Sequence, residues 1–150
     1  MDSEWELLVR TAVAMAAAGL IGWDREALSK PAGIRTHMLV GAGAALFTAA
    51  SILILQEGTL AGGRGDLVRI PAAIVTGVGF LGAGAILRSG ERVTGLTTAA
   101  GIWVTAAIGT LLGMGFWIVG LGGTVLVLLT VNVSSVASIH AKQDEPPDDG

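Results

Sequence analysis

The chain has 150 residues, of which 52% are hydrophobic and 14% are charged, and its mean hydropathy is +0.71. A soluble domain carries about 25% charged residues, so this composition excludes an ordinary water-soluble protein and predicts a membrane protein. The formal net charge of -3 argues against a nucleic-acid partner, which requires a basic surface. Because the sequence contains no cysteine, disulfides and thiolate metal sites are excluded.

Five apolar runs follow one another along the chain, each close to the length that crosses a membrane. A helix needs about 20 residues, and about 17 at the short end, to span ~30 Å of hydrocarbon. The runs are Leu7–Trp23, Thr36–Leu55, Ile70–Leu87, Leu96–Leu112 and Phe116–Val136. They predict an all-α bundle of five transmembrane helices. The alternative is four spans and one re-entrant segment, for which the glycine-rich third run is the candidate.

The basic residues predict the orientation of these spans. With five spans, one side of the membrane holds Arg25, Lys30, Arg35, Arg88, Arg92 and Lys142, and the other holds Arg10, Arg64 and Arg69. Since Lys and Arg are retained on the cytoplasmic side, we predict the N-terminus outside and the C-terminus inside. Residues 1–136 then form the membrane domain. Residues 137–150 are polar and acidic, and predict a disordered cytoplasmic tail.

The connector between the first two runs concentrates charge in a chain that has little elsewhere. It contains Asp24, Arg25, Glu26, Arg35 and His37. One interpretation is ordinary interfacial charge, in which the two carboxylates pair with the two guanidinium groups. The other is an acidic–basic patch at the cytoplasmic mouth that senses a cation or docks a partner, since carboxylates suit Mg²⁺. We predict no cofactor and no fixed metal site, and leave Mg²⁺ binding open.

The third run contains a GxGxxG pattern, Gly77 to Gly82. A dinucleotide site needs a soluble strand–turn–helix and an acidic residue about 20 positions on, whereas this motif lies in an apolar run and position 102 is Ile. Nucleotide binding is therefore not predicted. Close helix packing is the favoured interpretation. The alternative is a broken helix that exposes carbonyl groups to an ion, and both involve Gly77, Gly79, Gly82 and Gly84.

The fourth run repeats a small residue every four positions. The residues are Thr97, Gly101, Thr105, Gly109 and Gly113. This spacing keeps them on one face of a helix and predicts a tight seam against a second helix. Thr97 and Thr98 are predicted either to hydrogen-bond across helices or to line an ion path. The fifth run is bulky on all sides and predicts a lipid-facing outer helix.

The sequence lacks the residues that catalysis and active transport require. None of the five runs carries an ionisable side chain at its centre, where pumps and proton-coupled transporters place functional groups. It also lacks HExxH, a Walker loop and a Ser/His/Asp set. We therefore predict that the protein is not an enzyme.

Four ordered motifs closely resemble the MgtC/SapB family of bacterial inner-membrane proteins, over about Leu7 to Val136. They are Gly19-x-x-Gly22-x-Asp24-Arg25-Glu26, Ala32-Gly33-Ile34-Arg35-Thr36-His37-x-Leu39-Val40, Thr76-Gly77-x-Gly79-Phe80-Leu81-Gly82-Ala83-Gly84 and Gly95-Leu96-Thr97-Thr98-Ala99-Ala100-x-x-Trp103. One departure is Asp24, where the family commonly has Glu. Longer members continue into a soluble C-terminal domain, so the resemblance implies a short form of the family.

The resemblance implies a multi-pass protein of the bacterial inner membrane that acts in magnesium homeostasis and growth at low Mg²⁺. Better-known members are described as modulating the membrane ATP synthase. We therefore predict a regulator or adaptor whose partners are other inner-membrane proteins, such as the ATP synthase or a Mg²⁺ transporter. The alternative is a small cation carrier or channel. Small-residue seams on two spans also predict a homo-oligomer surrounded by membrane lipids.

Overall fold

A computed structural model describes residues 3–60 and 69–143, and describes side chains over 3–58 and 69–132. The described chain consists of five helices and one short hairpin. The elements are α1 (Glu4–Ala27), α2 (Ile34–Leu60), α3 (Arg69–Gly84), β1 (Leu87–Ser89), β2 (Arg92–Thr94), α4 (Leu96–Gly113) and α5 (Trp117–Gln143). The structure is therefore helical, as the apolar runs predict.

Each predicted run corresponds to one helix. Three helices are long and apolar enough to cross a membrane: Glu4–Ala27, Ile34–Gly58 and Leu96–Gly113. The apolar helices Arg69–Gly84 and Trp117–Asn132 are shorter. The fold is that of a membrane protein, while the count of five spans stays a prediction. The third run ends early because the chain leaves the helix after Gly84 and enters the hairpin.

Contacts between glycines and neighbouring helices establish the direction of each helix. A Cβ atom added at Gly22 would lie 2.6 Å from Ile34 Cα, and one at Gly19 would lie 3.1 Å from Met38 Cγ. These pairs run in opposite senses, so α1 and α2 are antiparallel. By the same test Gly101 lies beside His37 and Gly113 beside Ala45, so α2 and α4 are parallel.

Helix direction consequently alternates along the chain. The α1–α2 connector and the hairpin share one end of the bundle, which we call the connector end. The start of α1 and the α4–α5 turn share the other, the opposite end, where Arg10 lies beside Gly113. Five successive crossings would produce this alternation. The orientation relative to the cytoplasm stays a prediction, and Arg64, one of the residues on which it rests, lies outside the described residues.

Helix α4 is the centre of the bundle, because it packs against each of the other four helices. One apolar cluster joins α1, α2 and α4, with α5 side chains against it. Its buried members are Ala14, Ala17, Ile21, Ala45, Ile108 and Leu112. A second cluster joins α2, α3 and α4 through Ala44, Ile74 and Ala106. Alanine makes up half of the first cluster and two of the three buried residues of the second, which allows the helix backbones to approach closely.

The hairpin between α3 and α4 was not predicted. Its two strands pair antiparallel, Leu87 opposite Thr94, around a two-residue turn. Gly90 opens that turn at φ +61°, where a glycine is favoured. Gly95 ends the hairpin at φ +87°, and a Cβ there would collide with the carbonyl oxygen of Ala85. Glycine is therefore required where the hairpin joins α4.

Helix α5 runs on to Gln143, past the predicted domain boundary at Val136. The remainder of the predicted tail, 144–150, lies outside the described residues.

Candidate functional site

The candidate site lies at the connector end, where the last turn of α1 meets the first turn of α2. The Ser29 amide donates to the carbonyl of Glu26 at 2.9 Å, and the Lys30 amide donates to that of Arg25 at 3.0 Å. Ser29 has a φ of 54°. These bonds close the carboxyl end of α1 and reverse the chain. The charged residues of α1 are thereby held directly against α2.

Glu26 caps the neighbouring helix. Its Oε2 accepts a hydrogen bond from the backbone amide of Ile34, the first residue of α2, at 2.8 Å. A carboxylate at this position satisfies one of the free amides of a helix start and complements the helix dipole. Gly33 leaves room for it, because a Cβ at Gly33 would collide with the Glu26 carboxylate. The role of Glu26 in the structure is thus to join α1 to α2.

His37 is fully buried where α1, α2 and α4 meet. Its Nδ1 lies 3.0 Å from the carbonyl oxygen of Gly33. In a neutral ring, Nδ1–H donates to that carbonyl and leaves Nε2 as an acceptor. Glycines make room for the side chain on both neighbouring helices: a Cβ at Gly22 would lie 3.0 Å from His37 Cβ, and one at Gly101 would lie 3.5 Å from Nε2.

Arg25 is also buried, with 4% of its surface exposed, and it is close enough for its charge to act on the His37 ring. Three buried polar atoms at this end have no hydrogen-bond partner among the described residues: Asp24 Oδ2, Arg25 Nε and His37 Nε2. Such atoms are costly to bury and are uncommon in native proteins.

The predicted charged patch is not one surface. Arg35 and Glu26 are exposed, whereas Arg25 and His37 are buried and Asp24 is half-buried. The interpretation as paired interfacial charge is also wrong: among these described residues, neither carboxylate forms an ion pair with Arg25 or Arg35. These ion pairs do not form because the Glu26 carboxylate accepts a hydrogen bond from the first residue of α2, whereas the Arg25 side chain is buried. The described residues contain no group of three or more His, Asp or Glu arranged to hold a metal ion.

The glycine motif of α3 lies in an unbroken helix from Arg69 to Gly84. The broken-helix interpretation is therefore wrong, since backbone groups in an apolar layer need hydrogen bonds and a continuous helix supplies them. Gly82 does pack against α4, with an added Cβ 3.5 Å from the carbonyl oxygen of Ala99. An added Cβ at Gly77, Gly79 or Gly84 would meet nothing within 4 Å. Of the four glycines in this motif, only Gly82 packs against another helix among the described residues.

The small residues of α4 face α2. A Cβ at Gly109 would collide with the backbone of Gly41, and one at Gly113 would lie 3.0 Å from Ala45 Cα. Thr105 is fully buried and donates within its own helix, to the carbonyl of Gly101 at 2.8 Å. Of the other two threonines, Thr98 is buried and Thr97 is exposed. This row of residues is the closest approach of α2 and α4.

The sequence patterns did not predict a second polar site, which lies at the opposite end of the bundle. Arg10 is 7% exposed, pairs with Glu6 at 2.5 Å and donates from Nη1 to the carbonyl of Gly113 at 3.4 Å. A cation complements the carboxyl end of a helix, so Arg10 joins α1 to the end of α4. Gly115 makes room for it at φ +84°. The four-residue spacing of Glu6 and Arg10 indicates their pairing, but nothing in the sequence indicates the contact with α4.

Comparison with known proteins places the chain among bacterial relatives. The model of the MgtC family matches residues 11–139. The chain is 46% identical over 134 residues to the putative magnesium transporter YhiD of Escherichia coli (strain K12), covering 85% of this chain and 60% of that protein. It is 44% identical over 134 residues to the protein SrpB of Synechococcus elongatus, covering 84% of this chain and 73% of SrpB.

A third relative, the protein MgtC of Brucella abortus (strain 2308), is 44% identical over 115 residues, covering 74% of this chain and 45% of that protein. The chain thus spans 60% of the length of YhiD and less than half of the Brucella protein. No solved structure matches the chain. The family match covers the charged connector, the glycine motif of α3 and the small-residue row of α4, and the chain belongs to the MgtC family.

Proposed function

We propose that the protein acts in magnesium homeostasis as an adaptor in the bacterial inner membrane, where it binds the transmembrane helices of another membrane protein. The names of its relatives, YhiD and MgtC, support a magnesium-related role. The binding surface is the side of α3 that faces away from the bundle. This face carries small residues that admit a second helix, and a Cβ added at Gly79 meets nothing within 4 Å in the described chain.

The uncovered face of α3 carries the proposal. Phe80 is 81% exposed on it, and Val75, Thr76, Gly79 and Ala83 are exposed beside it. Gly79 and Ala83 are four residues apart, the small-residue spacing that lets helix backbones approach in a membrane. An exposed Phe next to an exposed Gly supplies both a protruding side chain and a recess. A partner helix packed here would bury surface that the chain itself leaves open.

The second candidate function, a Mg²⁺ carrier, is favoured by the printed name of YhiD. The buried guanidinium group of Arg25 disfavours it, although Asp24 also places a buried carboxylate oxygen at this end. Arg25 lies buried at the connector end, beside the place where α1, α2 and α4 meet. A fixed guanidinium charge in a low-dielectric interior repels cations and is used in channels to exclude them. A path for a divalent cation through this junction would have to pass that charge.

The test of the adaptor function is photo-crosslinking in cells starved of Mg²⁺. A photoreactive phenylalanine analogue at position 80 is expected to capture a membrane protein other than this chain. Gly79→Leu should abolish the crosslink and the rescue of growth at low Mg²⁺, because Leu fills the recess without touching the rest of the chain. Gly122→Leu, at an equally open glycine of α5, is the matched control and should leave both unchanged.

The two functions are separated by flux into proteoliposomes that contain the purified protein and an entrapped Mg²⁺ indicator. The adaptor function predicts no flux above that of empty vesicles, for the unaltered protein and for Gly79→Leu alike. Flux that depends on this protein would overturn the adaptor function. A crosslink that survives Gly79→Leu would remove α3 as the binding surface.

A further inference from the structure

Arg25 is a buried cation that has no partner among the described residues. The residue is 4% exposed, its Nε atom is buried without a hydrogen bond, and its guanidinium group forms no ion pair with a described residue. Arg10, the other buried arginine of α1, pairs with Glu6 and donates to the carbonyl of Gly113. Because a buried charge without a counter-charge is strongly unfavourable, Arg25 requires an anion that the described residues do not supply.

The acceptors nearest to Arg25 in the sequence are engaged or directed elsewhere. The Glu26 carboxylate accepts from the backbone amide of Ile34. Asp24 has one buried oxygen, but consecutive residues of a helix do not face each other, and Asp24 projects about 100° around α1 from Arg25. The carbonyl oxygens of Asp24, Arg25 and Glu26 already accept from the amides of the turn that follows α1. The end of α1 therefore does not neutralise its own buried arginine.

The start of α4 lies at the same level of the bundle as Arg25. Arg10 of α1 contacts Gly113 of α4 at the opposite end, and these two helices are antiparallel. Fifteen residues along each helix, a rise of about 22 Å, lead to Arg25 on α1 and to Thr98 on α4. Both residues are buried, and Ile21, one turn before Arg25, belongs to the apolar cluster that packs against α4. Arg25 and the first turn of α4 thus face the same part of the interior.

The first turn of α4 also lacks an acceptor for its amides. Its N-cap residue is Gly95, which makes no side-chain hydrogen bond, and the turn contains no acidic residue. By contrast, Ser3 caps α1 and Glu26 caps α2. The free amides of a helix start and the helix dipole together favour a bound anion. Two positive groups therefore lie at one level of the bundle, and the described residues place no anion between them.

We infer that the connector end binds one small anion between the Arg25 guanidinium and the amides that begin α4. The ligand is a halide or a short carboxylate, because Arg25 and Thr98 are both buried and leave little access for a larger group. A guanidinium group binds a carboxylate through two parallel hydrogen bonds, so formate should bind more tightly than chloride. The bound anion would join α1 to α4 at this end, as Arg10 does at the other. The site does not depend on the proposed partner surface of α3.

The experiment is thermal unfolding of the full chain in detergent, followed by tryptophan fluorescence at constant ionic strength. Chloride or formate replaces a bulky organic sulfonate, and the midpoint is expected to rise saturably, by about 5–10 °C at a hundredfold excess over Kd. Arg25→Met should remove this dependence. Without added anion this variant should unfold no earlier than the unaltered protein, because it deletes an unpaired buried charge. Arg35→Gln, at an exposed arginine nearby, is the matched control and should keep the dependence.

A carboxylate built into α4 gives a second test, which does not require Arg25→Met to fold. Thr98→Asp places an anion on the first turn of α4 at the level of Arg25, so it should raise the midpoint without added anion and remove the response to chloride and formate. Thr98→Asn, its neutral counterpart, should keep the response. An unaltered protein that responds to neither anion would overturn the inference. So would an equal response of Arg25→Met, or a midpoint of Thr98→Asp below that of Thr98→Asn.

Discussion

Single glycines determine where the few polar side chains of this protein are placed. His37 fits between α1 and α4 because Gly22 and Gly101 face it, and Arg10 fits against α4 because Gly115 does. Arg10 joins two helices through its hydrogen bond to the Gly113 carbonyl, whereas the hydrogen bond of His37 is to Gly33, at the start of its own helix. The charged residues of the chain therefore act first on its assembly, before any contact with a partner.

Glu26→Ala is expected to destabilise the protein through α2. The substitution removes the acceptor for the Ile34 amide, and loss of a helix cap costs about 0.5–2 kcal/mol. Glu26→Gln keeps an acceptor oxygen and should cost less. Thermal unfolding in detergent, followed by circular dichroism, measures both. Arg35→Gln, which alters an exposed charge nearby, should leave the midpoint unchanged; an equal loss in all three variants would contradict the capping role.

Arg10→Met is expected to lower stability at the opposite end. It removes the pair with Glu6 and the bond to the Gly113 carbonyl, and a partly buried cation at a helix end contributes up to about 2 kcal/mol. Glu6 is half-exposed and can be solvated once it is unpaired, so the chain should still fold. The measurement is the fraction folded in a denaturant titration of mixed micelles. Lys30→Met, at an exposed cation, is the comparison, and a loss as large as that of Arg10→Met would argue against a specific bond.

At the scale of the elements, α4 lies at the centre of the fold and α3 lies at its edge, against α4 and α2. The row Gly101, Gly109 and Gly113 brings α4 into contact with α2. Helix α3 packs against α4 and α2 through Ile74, which shares a cluster with Ala44 and Ala106. Two glycine-rich helices of similar composition thus have different roles. The glycines of α4 pack against α2, whereas most glycines of α3 contact no other helix of the described chain.

This difference predicts opposite effects of the same substitution in two helices. Gly109→Ala puts a Cβ against the Gly41 backbone, and forced overpacking costs typically 1–3 kcal/mol. Gly79→Ala meets nothing within 4 Å, and replacing a helical Gly by Ala stabilises by roughly 0.5–1 kcal/mol. Unfolding midpoints of the two variants should therefore move in opposite directions. If both fall, the packing assigned to α3 is incorrect.

Sequence patterns predicted the positions of the helices well, but they predicted poorly which residues pack against a neighbouring helix. Hydropathy located each helix, and the four-residue period of α4 indicated a packed face, because both are local properties of the chain. The same reasoning favoured packing for the glycines of α3, most of which pack against nothing in the described chain. It also placed Arg25 and His37 on an exposed patch, whereas both are buried. Whether a glycine or a charge is buried depends on the neighbouring helix, which no single run of sequence reveals.

The alternation of helix directions leads to a prediction about the whole molecule. Since the chain has no cysteine, single cysteines can be introduced for labelling with a membrane-impermeant maleimide. Lys30→Cys and Glu91→Cys lie in the connector and the hairpin, at the connector end. Glu4→Cys and Phe116→Cys lie at the opposite end, and all four positions are exposed. The two members of each pair should therefore be labelled from the same side of the membrane.

The excess of Lys and Arg at the connector end predicts that this end faces the cytoplasm, because such residues are retained there. In intact cells Glu4→Cys and Phe116→Cys should react with the reagent, and Lys30→Cys and Glu91→Cys should react only after the membrane is permeabilised. Reaction of the connector pair alone in intact cells would keep the alternation and reverse the orientation. Different behaviour within the connector pair would mean that α2 or α3, the two helices between its members, fails to cross. The short helix α3, which lies between Lys30 and Glu91 together with α2, would then be the re-entrant segment.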